Sequence, residues 1–120
     1  MSAILIYEED DLMRALLNEW LSEAGYGVRD AAARDAQRTG PADLVIVSLY
    51  MPKQTGVPLV RKIQAAHPDT PIIALSGQFR SGLSAVGATA DALGVQQVIA
   101  KPLRRGDLLE AVSAMIGPPH

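Results

Sequence analysis

Residues 8–11 read Glu-Glu-Asp-Asp, four carboxylates in a row directly after the apolar run Ala3–Tyr7 (AILIY). A buried strand that ends in acids delivers at least two of them to one crevice, and paired carboxylates suit a hard divalent cation such as Mg²⁺, which takes oxygen ligands and keeps several waters. Asp10 and Asp11 also suit the positive end of the helical pattern that follows them. Glu8 and Glu9 are therefore the candidate metal ligands, and the two aspartates candidate helix caps. Ser48, Ser76 and Lys101 likewise stand at the ends of apolar runs. The Ser76 hydroxyl can donate to a bound oxyanion, or serve as an ordinary turn residue before Gly77. Lys101, followed by Pro102, can bind a phosphoryl oxygen as a compact point charge or neutralise the acids. With no other anion present, neutralisation is its expected role.

The elements that must position these groups follow from the hydrophobic pattern. Ala3–Tyr7, Leu44–Val47 (LVIV), Ile72–Leu75 (IIAL) and the shorter Val98–Ala100 (VIA) are continuous apolar runs, the signature of strands covered on both faces. Gly27–Ala32 reads as a weaker strand. Met13, Leu16, Leu17, Trp20, Leu21 and Ala24 recur at helical spacing, with Asp10 or Asp11 as N-cap and Gly25 as the stop. Ala33–Arg38 predicts a short helix before Gly40-Pro41, and Pro58–Ala66 a third that begins on proline and stops at His67-Pro68. A fourth, about Leu83–Leu93, is rich in Ala and Gly, weakly amphipathic and expected to be the most mobile. Gly106-Asp107 opens the fifth, whose buried stripe is Leu108, Leu109, Val112, Met115 and Ile116. Alternating strands and helices imply a doubly wound α/β fold with a five-stranded parallel sheet. Its ligand site lies beyond the C-terminal strand ends.

Composition narrows the function. The 120 residues suit one domain, 1–120, and 48% hydrophobic content is enough for a core. A net charge of −2 without long charged runs argues against nucleic acid as the main partner. The absence of cysteine excludes disulfides and thiolate metal sites. No apolar stretch approaches the roughly 20 residues of a membrane span, and no basic segment precedes the first apolar run as in a secretory signal. A cytoplasmic protein is expected. A flavin or nucleotide site in the same fold needs a phosphate-receiving loop at a helix N-terminus, where EEDD repels phosphate instead.

Glu8-Glu9, a third strand end with Met51-Pro52 three residues beyond Ser48, Thr55-Gly56, Ser76 and Lys101-Pro102 together resemble the receiver domain of bacterial two-component response regulators. The resemblance covers nearly the whole chain and implies a flavodoxin-like fold. It implies that the acidic pair, here Glu8 and Glu9, holds Mg²⁺, and that Ser76 and Lys101 contact a phosphoryl group. Pro102 matches the proline that typically follows in a cis peptide. Two parts differ from the family pattern. Ser48 stands where the acceptor aspartate belongs, and Val98 where the switch aromatic commonly lies. The segment from Gly25 to Asp43 is also about one helical turn, roughly four residues, shorter than the family pattern, so the second helix is expected to be stunted.

A serine hydroxyl is a poor nucleophile at neutral pH unless a base activates it, and no histidine is expected at a strand end. Serine in place of aspartate also removes a metal ligand and a negative charge, so Mg²⁺ binding by Glu8 and Glu9 is expected to be weak or vestigial. The reading is a degenerate, non-enzymatic receiver that acts by phosphorylation-independent protein–protein interaction. The resemblance implies a histidine kinase, effector domain or other signalling protein as partner, bound on the face of the fourth helix, fifth strand and fifth helix. Arg80, Arg104 and Arg105 are candidates there, and dimer formation is left open. The alternative is a Mg²⁺-assisted phosphoryl acceptor that uses Ser48 or a nearby group.

Overall fold

The computed structural model describes residues 3–30, 42–49, 57–76, 95–100 and 104–117. They form five strands, β1 (Ala3–Tyr7), β2 (Gly27–Asp30), β3 (Leu44–Leu49), β4 (Ile72–Ser76) and β5 (Gln97–Ala100). Three helices accompany them, α1 (Asp11–Glu23), α2 (Val57–Ala66) and α3 (Arg105–Ile116). The strands make one sheet in the order β2-β1-β3-β4-β5, and every neighbouring pair is parallel. This is the doubly wound arrangement expected from the apolar runs. The helices expected over Ala33–Arg38 and Leu83–Leu93 lie outside the described residues, and with them the expectation of a shortened second helix.

Alternation along the strands divides the core between two faces. Ile4, Ile6, Leu44, Ile46, Ile73 and Leu75 pack on one side with Leu17 and Leu21 of α1 and Leu108, Ala111 and Val112 of α3. Leu5, Tyr7, Val45, Val47, Ile72, Ala74 and Val98 pack on the other with Val60 and Ile63 of α2. Burial on both faces explains why the strand sequences are continuously apolar.

Helix α1 begins where its caps dictate. Asp10 has extended backbone angles, and its carboxylate accepts the Leu12 and Met13 N–H groups at 2.9 and 3.4 Å. It ends in a Schellman turn, in which Gly25 takes φ of 104° while the Tyr26 and Gly25 N–H groups donate to the Leu21 and Ser22 carbonyls. Helix α3 differs from the sequence expectation. It begins at Arg105, before Gly106-Asp107, because the Leu108 N–H closes the first turn on the Arg104 carbonyl at 3.0 Å. Arg104 gives that end no side-chain cap, and Asp107 supplies an acid in its first turn. Helix α2 likewise starts one residue early, at Val57.

The strand starts are fastened by side chains. The Asp43 carboxylate accepts the Ala3 N–H at 2.7 Å, the Thr70 hydroxyl donates to the Ala42 carbonyl at 3.1 Å, and the Gln96 amide oxygen accepts the Ile72 N–H at 2.6 Å. The opposite ends of β1 and β3 carry the acidic loop and Ser48.

Candidate functional site

Register fixes which groups meet at the C-terminal edge. Tyr7 pairs with Val47, so the next residues, Glu8 and Ser48, lie side by side, and Ser48 pairs with Leu75 across β3 and β4. Ser48 lies inside β3, one residue before its end, and not at the terminus that the apolar run suggested. Both polar residues are buried, Glu8 4% and Ser48 7% exposed. Leu49 pairs with Ser76, which places the Ser76 backbone one step further along this edge. The Ser76 side chain, Lys101, Pro102 and Arg80 lie outside the described residues. Val98 is buried on β5 in one core cluster with Leu5, Tyr7, Val45 and Val47, and so fills core where the family pattern has an aromatic ring.

The four acids have separate fates. One Glu8 carboxylate oxygen, Oε1, accepts the Asp10 N–H at 2.9 Å and folds back over its own loop. Glu9 is exposed. Asp10 caps α1, and Asp11 pairs with Arg14. Arg14 also donates to the Glu8 carbonyl at 3.1 Å and approaches Asp30, at the end of β2, to 4.0 Å. Asn18 adds a hydrogen bond to the Asp30 carboxylate at 2.9 Å while also donating to the Arg14 carbonyl. Sequence reading missed Arg14, Asn18 and Asp30. The available signal was a cation one turn inside the positive end of a helix, where it is unfavourable unless acids surround it.

A Mg²⁺ site takes one or two carboxylates turned to one point and keeps several waters. Glu8 Oε1 and the Asp10 carboxylate serve main-chain N–H groups, Asp11 serves Arg14, and Ser48 offers a neutral oxygen in place of an anion. Among the described residues, no three acids or histidines gather as a metal site. With serine at position 48 the described residues offer one carboxylate fewer than the resemblance implies for that cation.

A parallel sheet of this order, with acids at its carboxyl edge, is that of the flavodoxin-like class of signalling and nucleotide-binding folds. The sequence profile of the response regulator receiver domain matches residues 4–113, and the chain belongs to that family. The chain is 30% identical to the response regulator receiver protein CpdR of Brucella abortus, with 97% of this chain and 98% of that protein covered. It is also 30% identical to the DNA-binding transcriptional regulator NtrC of Rhizobium meliloti, but spans only 25% of its length. Among solved structures, a response regulator from Thermotoga maritima superposes with a TM-score of 0.80 at 24% identity, covering 97% of this chain and 98% of that one. One from Burkholderia multivorans gives 0.69 at 32% identity, covering 100% and 98%. The protein is thus a receiver domain of two-component signalling. No helix among the described residues is long and apolar enough to cross a membrane.

Proposed function

We propose that this receiver works without aspartyl phosphorylation, as a non-enzymatic module that recognises a signalling protein through its surface. The observation that carries the reading is Ser48, a neutral and buried side chain beside Glu8 at the position where the family pattern calls for the acceptor carboxylate. An acyl phosphate forms only on a carboxylate, and a serine needs a base to attack phosphorus. Residues 1–120 then act as one cytoplasmic receiver unit. The partner face includes β5 and α3, where Arg104 is exposed and Arg105 is paired with Glu23 at 3.7 Å. Glu8, Glu9, Ser76, Lys101 and Pro102 are the remnants of the phosphoryl site.

Incubation with acetyl phosphate and Mg²⁺, followed by intact-mass measurement, tests this. No adduct is expected. A stoichiometric adduct removed by hydroxylamine would overturn the reading, and a hydroxylamine-stable adduct on Ser48 would replace it with serine phosphorylation.

A further inference from the structure

The last four carbonyls of a helix have no partner within it, and many helix ends borrow N–H groups from the residues that follow. After Gly117 come Pro118 and Pro119, and neither carries an N–H. The last turn of α3 also has no basic side chain to take the place of those donors. The Gly117 N–H closes that turn on the Ser113 carbonyl at 2.8 Å. Gly117 then turns away with φ of 78° and ψ of 179°, a conformation that glycine adopts without strain. Its carbonyl takes a donor from the far end of the chain, the Tyr26 hydroxyl at 2.9 Å. Tyr26 is fixed in its own place. Its N–H donates to the Leu21 carbonyl in the turn that ends α1, and it is buried in one core cluster with Leu17, Leu21, Leu108, Ala111 and Val112.

We propose that Tyr26 latches the end of α3. Its hydroxyl holds Gly117 against the corner where α1 passes into β2, and so sets the direction in which the chain leaves the helix. Tyr26 is a positioning residue in this account, acting on the Gly117 backbone through one hydrogen bond. Removing a neutral hydrogen bond shifts an opening equilibrium roughly fivefold. The end is therefore held, but not so tightly that a partner binding it could not release it. The latch lies where the strands begin, since Tyr26 directly precedes β2 and Gly27 pairs with Ala3 at the start of β1. Glu8 and Ser48 stand at the opposite edge of the sheet, so the device does not depend on the phosphoryl site.

The test is backbone amide relaxation by NMR on the full chain and on Tyr26→Phe, which keeps the ring and removes the donor. Order parameters report motion within the folded state, so a small loss of global stability does not move them. In the unmodified protein the Met115, Ile116 and Gly117 amides are expected near the rigid value of about 0.85, and in Tyr26→Phe the Gly117 amide is expected below about 0.6. Amides of α1, the sheet and residues 108–112 should keep their values. An unchanged Gly117 amide overturns the proposal. So does a loss of order spread evenly through α3 and the sheet, which would mark Tyr26 as core packing alone. A low Gly117 value already in the unmodified protein, or a Tyr26→Phe chain that does not fold, overturns it too. Because no phosphodonor is present, this result is independent of the acetyl phosphate experiment, and either reading can fail alone.

Discussion

Restoring the family's carboxylate by Ser48→Asp should destabilise this protein in metal-free buffer. Glu8 and Ser48 leave adjacent parallel strands side by side, and both are more than nine-tenths buried. Neighbouring strands lie about 5 Å apart, and two unit charges at about 5 Å repel by about 3 kcal/mol at an effective dielectric near 20. Burial leaves little solvent screening, while side-chain reorientation recovers part of the repulsion. A net loss of about 2 kcal/mol is expected, or about 6–8 °C in melting temperature for a domain of this size. Ser48→Asn supplies a side chain of the aspartate's shape without its charge and should lose much less. The assay is urea unfolding of both variants at neutral pH with a chelator present. Equal stability of the Asp and Asn variants at neutral pH would refute the reasoning, because it would mean that Glu8 and position 48 do not share a desolvated corner.

Further outcomes follow from two buried groups, Tyr26 and His67. Tyr26 is buried and its hydroxyl donates to the Gly117 carbonyl at 2.9 Å, so Tyr26→Phe should cost about 1 kcal/mol, measured as a lower urea midpoint with an unchanged slope. Burial also raises the Tyr26 pKa above 10.0, so the native state keeps a proton that the unfolded chain releases, and stability should decline as pH rises past that value. Burial, with Arg29 contributing, lowers the His67 pKa below 6.5. The unfolded chain then takes up the proton first on acidification. This part of the stability is complete above pH 6.5 and is lost as pH falls through the lower native value. Melting curves from about pH 8 to about pH 5 should show that loss in the unmodified protein and a smaller one in His67→Gln.

Much of the fold was legible because its signals are local. A parallel strand buried on both faces writes itself as an apolar run, and AILIY, LVIV and IIAL each lie within a strand of the structure. The capped start of α1 and its glycine stop were legible for the same reason, since Asp10 and Gly25 act on N–H and carbonyl groups within a few residues of themselves. The start of α3 was not. Gly106-Asp107 has the composition of a helix entry, yet the chain already turns at Arg104, where packing of Leu108, Ala111 and Val112 against the sheet sets the helix in place.

By itself the sequence determined the order of the described elements and the strands near whose ends the candidate residues Glu8 and Ser48 stand. Only the tertiary structure decided what the acids do. It chose Asp10 over Asp11 as the cap, turned Glu8 back onto its own loop, and brought Arg14 to Asp30 and Tyr26 to Gly117. Periodicity reports which face of an element is buried, whereas pairing between polar groups far apart in the chain depends on register and packing that no local pattern encodes.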